Sequence, residues 1–244
     1  MIRPSRSSRP GGLLHAALRA IQLLQSLCFT GIFLLCLCHP AWANGVDTDG
    51  VLRELEIKRG KINTFSAKFV QKRTLAMFDE IKISKGILLY KAPRQMIWKY
   101  TEPDKAQMRL ERDSVAFYFP DLEQIEIYPA DRNGGNANFF FAFEASADEL
   151  KESFEVAAGA GGEELTRIDL TPRAGQAPSQ LKGLTLWLDD SDYLPRRIFI
   201  RDTSGDTTEI ELSEVRVNEP IADEDLQFDA PKGTNIIENE PGGF

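Results

Sequence analysis

Between Thr64 and Val217 apolar and polar residues alternate with a period of two, interrupted once near the middle. Side chains two apart share one face of a strand, so each alternating run predicts a strand with one face turned inward. Phe65, Ala67 and Phe69 form the first such row, with Ser66 and Lys68 opposite. The second row reads Ile81, Ile83, Ile87 and Leu89, with Gly86 on the other side, and the third Met96, Trp98 and Tyr100. Met108 and Leu110, then Val115, Phe117 and Phe119, then Ile125 and Ile127 continue the series. Six short strands separated by Pro, Asp and Glu predict an antiparallel meander. After the interruption come Leu165, Ile168 and Leu170, then Leu184, Leu186 and Leu188, then Ile198 and Ile200. Ile210 and Leu212 are out of phase with Val215 and Val217, as a β-bulge would make them. Residues 202–206 read as a hairpin turn, and residues 159–163 and 173–179 as loops. The acidic tail after Asn218 carries only isolated anchors, Leu226, Phe228, Ile236 and Ile237.

Two segments break the rhythm. Val51, Leu52 and Leu55 share one face of a helix within residues 44–60, with Gly60 as its stop. In residues 131–154 an Asn133-Gly134-Gly135-Asn136 loop precedes Phe139, Phe140, Phe141 and Phe143. Ser146 then opens a helix start, so one or two short helices bearing an aromatic cluster are expected. The predicted fold is mainly β with short helices, a single antiparallel sheet of about eleven strands. A sheet of that size curls on itself and needs its concave face filled or covered. A solid core plugged by helices and a cavity beneath a lid carry the same residues, so periodicity leaves both open.

The first 39 residues hold all three cysteines (Cys28, Cys36, Cys38), both histidines (His15, His39), four arginines and no acid. An apolar core over residues 27–38, followed by Pro40-Ala41-Trp42-Ala43, reads as a secretory leader cut after Ala43. An uncleaved anchor is the alternative, although that core is short for a span. A lipidated cysteine fits poorly, because Leu35 and Leu37 stand where a small residue is wanted. The expected organisation is a signal peptide over 1–43 and one domain over 44–244. Loss of the leader would make the chain four units more negative than the −8 of the whole. An acidic chain gains nothing from counterion release on phosphates, which disfavours nucleic acid as a partner.

Without cysteine or histidine the domain lacks acyl-transfer triads, thiolate chemistry and the common zinc sites. Asp189, Asp190 and Asp192 cluster, but Ser191 and Tyr193-Leu194-Pro195 mark a solvated hairpin tip and not a carboxylate pair across a cleft. The spaced glycine and glutamate of a calcium loop are missing there too. No phosphate-cradling glycine loop is present, and neither a cofactor nor an enzymatic role is expected.

Several runs carry a family resemblance. Phe65-Ser66-Ala67-Lys68-Phe69-Val70-Gln71, then Gly86-Ile87-Leu88-Leu89-Tyr90-Lys91-Ala92-Pro93, then Trp98-Lys99-Tyr100-Thr101-Glu102-Pro103 follow in order. Phe117-Tyr118-Phe119-Pro120-Asp121-Leu122-Glu123-Gln124 is the most specific, and Tyr193-Leu194-Pro195 and Phe228-Asp229-Ala230-Pro231 close the series. In these the chain resembles the periplasmic outer-membrane lipoprotein carriers, the LolA family. The resemblance implies an incomplete antiparallel β-barrel closed by helices around a hydrophobic cavity for acyl chains. It further implies a monomeric periplasmic carrier, loaded by an inner-membrane ATP-driven lipoprotein-release complex and unloaded by an outer-membrane lipoprotein receptor. The candidate cavity residues are Phe65, Phe69, Leu89, Met96, Trp98, Met108 and Phe117, with Phe139, Phe140 and Phe143 as the lid.

Two positions depart from the family pattern. An arginine associated with lid closure commonly precedes the proline matching Pro93; here it is Ala92, with Arg94 after the proline. The polar turn before the aromatic strand reads Leu110-Glu111-Arg112. A carrier of another lipid or glycolipid is therefore a second expectation. A barrel-shaped adaptor that binds a protein and no lipid is a third.

Overall fold

A computed structural model describes residues 46–110, 114–129, 145–175 and 180–239. Helix α1 (Thr48–Arg59) opens on Asp47, whose carboxylate accepts a hydrogen bond from the Asp49 amide, and buries Leu52 and Leu55. Six strands follow: β1 (Thr64–Leu75), β2 (Glu80–Lys91), β3 (Gln95–Glu102), β4 (Ala106–Leu110), β5 (Ser114–Phe119) and β6 (Gln124–Pro129). Each pairs antiparallel with the next, as the alternation requires. Helix α2 (Ala147–Ser153) begins at Ser146 with a capping box: Ser146 accepts from the Glu149 amide, and the Glu149 carboxylate accepts from the Ser146 amide. Strands β7 (Phe154–Gly162), β8 (Leu165–Pro172), β9 (Leu181–Asp189), β10 (Pro195–Asp202) and β11 (Thr207–Val217) form the second meander. A last strand, β12 (Asn235–Glu238), ends the described chain.

All twelve strands form one sheet in the order β12-β6-β5-β4-β3-β2-β1-β11-β10-β9-β8-β7. Strands β12 and β7 are its two edges, so the sheet curls without closing. The bulge expected between Leu212 and Val215 is present. The β1–β11 register slips between Ser66 and Lys68, and Glu214 takes a left-handed conformation with φ 51°.

The sheet has one apolar concave face. Phe65, Ala67, Phe69, Leu88, Tyr90, Met96, Trp98, Met108 and Leu110 share a core with Ile168, Leu170, Leu184, Leu186, Leu188, Ile198, Ile210 and Leu212. Leu52 and Leu55 of α1 and Leu150 of α2 belong to the same core, which sets both helices on the concave side. The convex face carries a separate cover. The turn Asp223–Leu226 packs on β2 and β3, and Ile97, Ala116, Tyr118 and Leu226 are buried outside the main core.

Four expectations from the sequence need correction. In β2 the inward row is Gly86, Leu88 and Tyr90, whose partners on β1 are Phe69, Ala67 and Phe65; Ile81, Ile83, Ile87 and Leu89 face outward. In β6 the inward residues are Gln124, Glu126 and Tyr128, opposite Phe119, Phe117 and Val115, so Ile125 and Ile127 lie on the convex side. Residues 159–162 are part of β7 and not a loop, because the Gly-Ala run pairs with β8 along its length. Among the described residues the sheet has twelve strands, in line with the about eleven expected, but it is not wholly antiparallel: the edge strand β12 runs parallel to β6. Of the four isolated anchors in the tail, only Ile236 and Ile237 fall within β12, too short a run to announce a strand.

Candidate functional site

The concave wall of β1 to β5 is built on aromatic contacts. Phe69 packs edge-on against Trp98 at 4.8 Å and Tyr100 at 5.0 Å between ring centroids, and Phe65 stacks on Tyr90 at 5.2 Å. Phe69 fits because its cross-strand partner is Gly86, which leaves room for the ring over β2. Further along, Phe117 stacks on Phe119 at 6.3 Å and meets Tyr128 edge-on at 6.0 Å. These last three side chains are only half-buried, so this wall stays accessible from the concave side.

Six of the seven residues expected in the cavity share this face: Phe65, Phe69, Met96, Trp98 and Met108 are buried in the core, and Phe117 packs at its margin. Leu89 does not join them. It pairs with Ser66 on β1 and Ile97 on β3, on the convex side. Phe139, Phe140 and Phe143 lie outside the described residues, as do Glu111 and Arg112. Leu88 and Tyr90 take the place given to Leu89, because the pairing of Gly86 with Phe69 fixes which residues of β2 face inward.

A few polar groups share the concave face. Tyr100 donates its hydroxyl hydrogen to Gln71 Oε1 at 3.1 Å, and burial pushes the Tyr100 hydroxyl up to about 12. On β6, Glu126 accepts from Gln124 Nε2 at 2.6 Å and from the Tyr128 hydroxyl at 2.7 Å. That bond to the carboxylate raises the Tyr128 pKa, with burial adding to it. Both Glu126 oxygens are thereby engaged on a wall otherwise lined by rings.

Helix α1 ties down the start of α2. Arg59 donates to the Ala145 carbonyl oxygen at 2.5 Å, and the Ala147 amide donates to Glu56 Oε1 at 2.9 Å. Lys151 of α2 pairs with Asp49 of α1, which holds the Asp49 carboxyl below the usual carboxylate range. In the β2–β3 turn, Ala92 packs against the core, while Arg94 is exposed with φ 56° and lies on no strand.

The aspartate cluster holds a turn. Asp189 accepts from the Ser191 amide and hydroxyl, which lowers its pKa, and Arg196 bridges Asp189 at 3.2 Å and Asp192 at 2.7 Å. Asp190 accepts from Thr166 Oγ1 at 2.7 Å. Among the described residues no three His, Cys, Asp or Glu side chains gather as metal ligands.

Compared with known proteins, residues 60–229 match the family model of the outer membrane lipoprotein carrier protein LolA. The chain belongs to the LolA family. The matched span runs from the end of α1 through all eleven strands β1 to β11 and includes the convex cover as far as Asp229. An outer-membrane lipoprotein carrier protein of Halorhodospira halophila is 27% identical over 193 residues, covering 79% of this chain and 88% of that protein. One from Idiomarina loihiensis is 24% identical over 206 residues, covering 83% and 94%. A crystal structure of an uncharacterized conserved protein from Thermus thermophilus superposes with a TM-score of 0.50 at 10% identity, covering 78% of this chain and 99% of that one; this likeness concerns the fold alone. Within the LolA family frame, the open sheet with two helices on its concave side is the expected incomplete barrel.

Proposed function

We propose that this LolA-family protein is a periplasmic carrier that shields the acyl chains of lipoproteins on its concave face and moves them from the inner to the outer membrane. The leader over residues 1–43 sends it across the inner membrane and is removed. An ATP-driven release complex in the inner membrane loads it, and a receptor at the outer membrane takes the cargo. The observation that carries the reading is the apolar wall that runs from Phe69 and Trp98 through Met108 to Phe117 and Phe119 on the concave side of an unclosed sheet. An acyl chain in water exposes roughly 0.8 kcal/mol of unfavourable surface per methylene, so a carrier's task is to exclude water. Rings and methionines (Met96, Met108) supply apolar surface of adaptable shape, which allows release as well as capture. No bond is made or broken.

Organic extraction of the protein isolated from the cell, followed by mass spectrometry, tests the reading: acylated lipoprotein is expected. A protein free of acylated material that also fails to take up a fluorescent fatty acid would overturn it. A second reading, a carrier for another lipid or glycolipid, is favoured by Ala92 standing where the family commonly has arginine. The same spectra distinguish the two by the mass of the bound lipid.

A further inference from the structure

At β6 polar side chains interrupt the apolar concave face. The inward row there is Gln124, Glu126 and Tyr128, and β5 presents Phe119, Phe117 and Val115 at the paired positions. On a face that takes up acyl chains, a leucine at residue 126 would extend the wall, whereas a carboxylate subtracts from it. Glu126 is no loop residue in free solvent. It lies mid-strand and half-buried, with Phe117 directly across.

The carboxylate is held in place yet keeps accepting capacity. Gln124 Nε2 donates to Oε1 and the Tyr128 hydroxyl to Oε2, one bond to each oxygen. An ionised carboxylate offers about four acceptor positions, so two remain open. Gln124 and protonated Tyr128 are neutral donors, which fix the group without neutralising it. Among the described residues no lysine or arginine forms an ion pair with Glu126. The basic side chains of β3 and β4 serve the opposite face, where Lys99 pairs with Asp229 and Arg109 bonds Gln227 over the Phe228 ring.

We propose that Glu126 is a headgroup subsite of the concave face and takes a primary ammonium carried beside the acyl chains of the cargo. The inference rests on the carrier reading above and adds to it a choice among acylated ligands. Paired residues on adjacent strands stand about 5 Å apart at Cβ, so acyl chains resting on Phe117 and Phe119 bring their polar end to Glu126. An ammonium has three donors, fills the open acceptor positions and supplies the missing positive charge. Two sources carry such a group: a lipoprotein acylated on its first side chain with the α-amine left free, and a phospholipid with an ethanolamine head. Charge favours the first. The phospholipid also brings a phosphate, and no basic side chain among the described residues pairs at this site to receive it.

Calorimetric titration at about pH 6.5, where an α-amine carries its proton, tests this with matched probes. One pair is a lipopeptide with two acyl chains on its first side chain and a free α-amine, and the same lipopeptide N-acetylated. The other pair is a short-chain phosphatidylethanolamine and its N-acetyl derivative. The native protein is expected to bind the free-amine lipopeptide about tenfold more tightly than the acetylated one, with a smaller difference between the phospholipids. Glu126→Gln removes the charge at nearly constant shape. It should abolish the preference and bind the acetylated lipopeptide as the native protein does, with an unchanged circular dichroism spectrum. A larger difference in the phospholipid pair, also abolished by Glu126→Gln, would support the ammonium site and assign it to the phospholipid. Equal affinities within both pairs overturn the proposal, as does a preference that survives Glu126→Gln. Tight binding of the acetylated lipopeptide upholds the carrier reading whatever becomes of Glu126, whereas binding of none of the four probes sinks both.

Discussion

The ring of Phe69 lies directly over the Cα of Gly86 on the neighbouring strand. A Cβ at residue 86 would stand 2.8 Å from two carbons of that ring and 2.0 Å from the Lys99 carbonyl oxygen. The ring is a flexible neighbour; the carbonyl belongs to β3 and is not. Gly86→Ala must therefore push β3 away or displace Phe69, which also holds Trp98 and Tyr100 in place. The substitution should lower stability by about 2–3 kcal/mol, at the upper end for overpacking. Urea unfolding followed by tryptophan fluorescence checks it, and an unchanged midpoint would show that β3 yields freely.

That same pair explains how much of the molecule was legible in the sequence. In β1, where Ser66, Lys68 and Lys72 oppose the apolar row, alternation alone assigned the faces correctly. In β3 and β9 the rows Met96, Trp98, Tyr100 and Leu184, Leu186, Leu188 face inward as expected, although Ile97 and Trp187 lie on the other side. In β2 both faces are apolar, and the longer isoleucine row drew the assignment outward. Only the partner across the strand, an aromatic ring needing a glycine beneath it, decides the phase, and that information is not local. Strand β6 failed for a related reason: Gln124, Glu126 and Tyr128 bond among themselves, so a polar row can face inward. Strand β12 was illegible because four residues with two isoleucines carry too little pattern, and its pairing with β6 closes across more than a hundred residues. Of the expected cavity residues, the one misplaced, Leu89, is the one on the strand whose phase was misread.

Tyr100 should make stability fall at high pH. Its folded-state pKa of about 12 exceeds the unfolded value of 10.0, so between those limits the folded protein binds more protons than the unfolded chain. The contribution is fully present below pH 10 and is lost as pH rises through 12. A shift of this size corresponds to roughly 2–3 kcal/mol. Urea midpoints measured from pH 9 to 12 should decline more steeply for the native protein than for Tyr100→Phe. Parallel declines would assign the loss to the other tyrosines.

The convex cover is held at Asp229. Its carboxylate accepts from Gln107 Nε2 at 2.9 Å and pairs with Lys99 Nζ at 3.3 Å, where the Lys99 side chain is only 16% exposed. Next to it, Arg109 sits over the Phe228 ring at 4.7 Å and donates to Gln227 at 2.7 Å. Asp229→Ala leaves a largely buried ammonium without its counter-charge and should cost about 1–3 kcal/mol. Because the cover lies on the face opposite the aromatic wall, uptake of a fluorescent fatty acid should be unaffected at temperatures where the variant is folded. Loss of uptake by a folded variant would mean that the two faces are coupled.

Phe117 separates binding from folding better than Trp98 does. Trp98 is 1% exposed, so any polar replacement there disrupts the core before it says anything about cargo. Phe117 is half-buried at the margin and touches Phe119 and Tyr128. The replacement should be polar but uncharged, since residue 117 faces Glu126 across β5 and β6 and a second carboxylate would repel it. Phe117→Asn removes on the order of 60 Å² of apolar contact with a bound chain, about 1.5 kcal/mol, or roughly a tenfold loss of affinity for a fluorescent fatty acid. Phe117→Leu keeps an apolar wall and should bind within a few-fold of the native protein. If Phe117→Asn is folded and binds as tightly as Phe117→Leu, acyl chains do not rest on this wall.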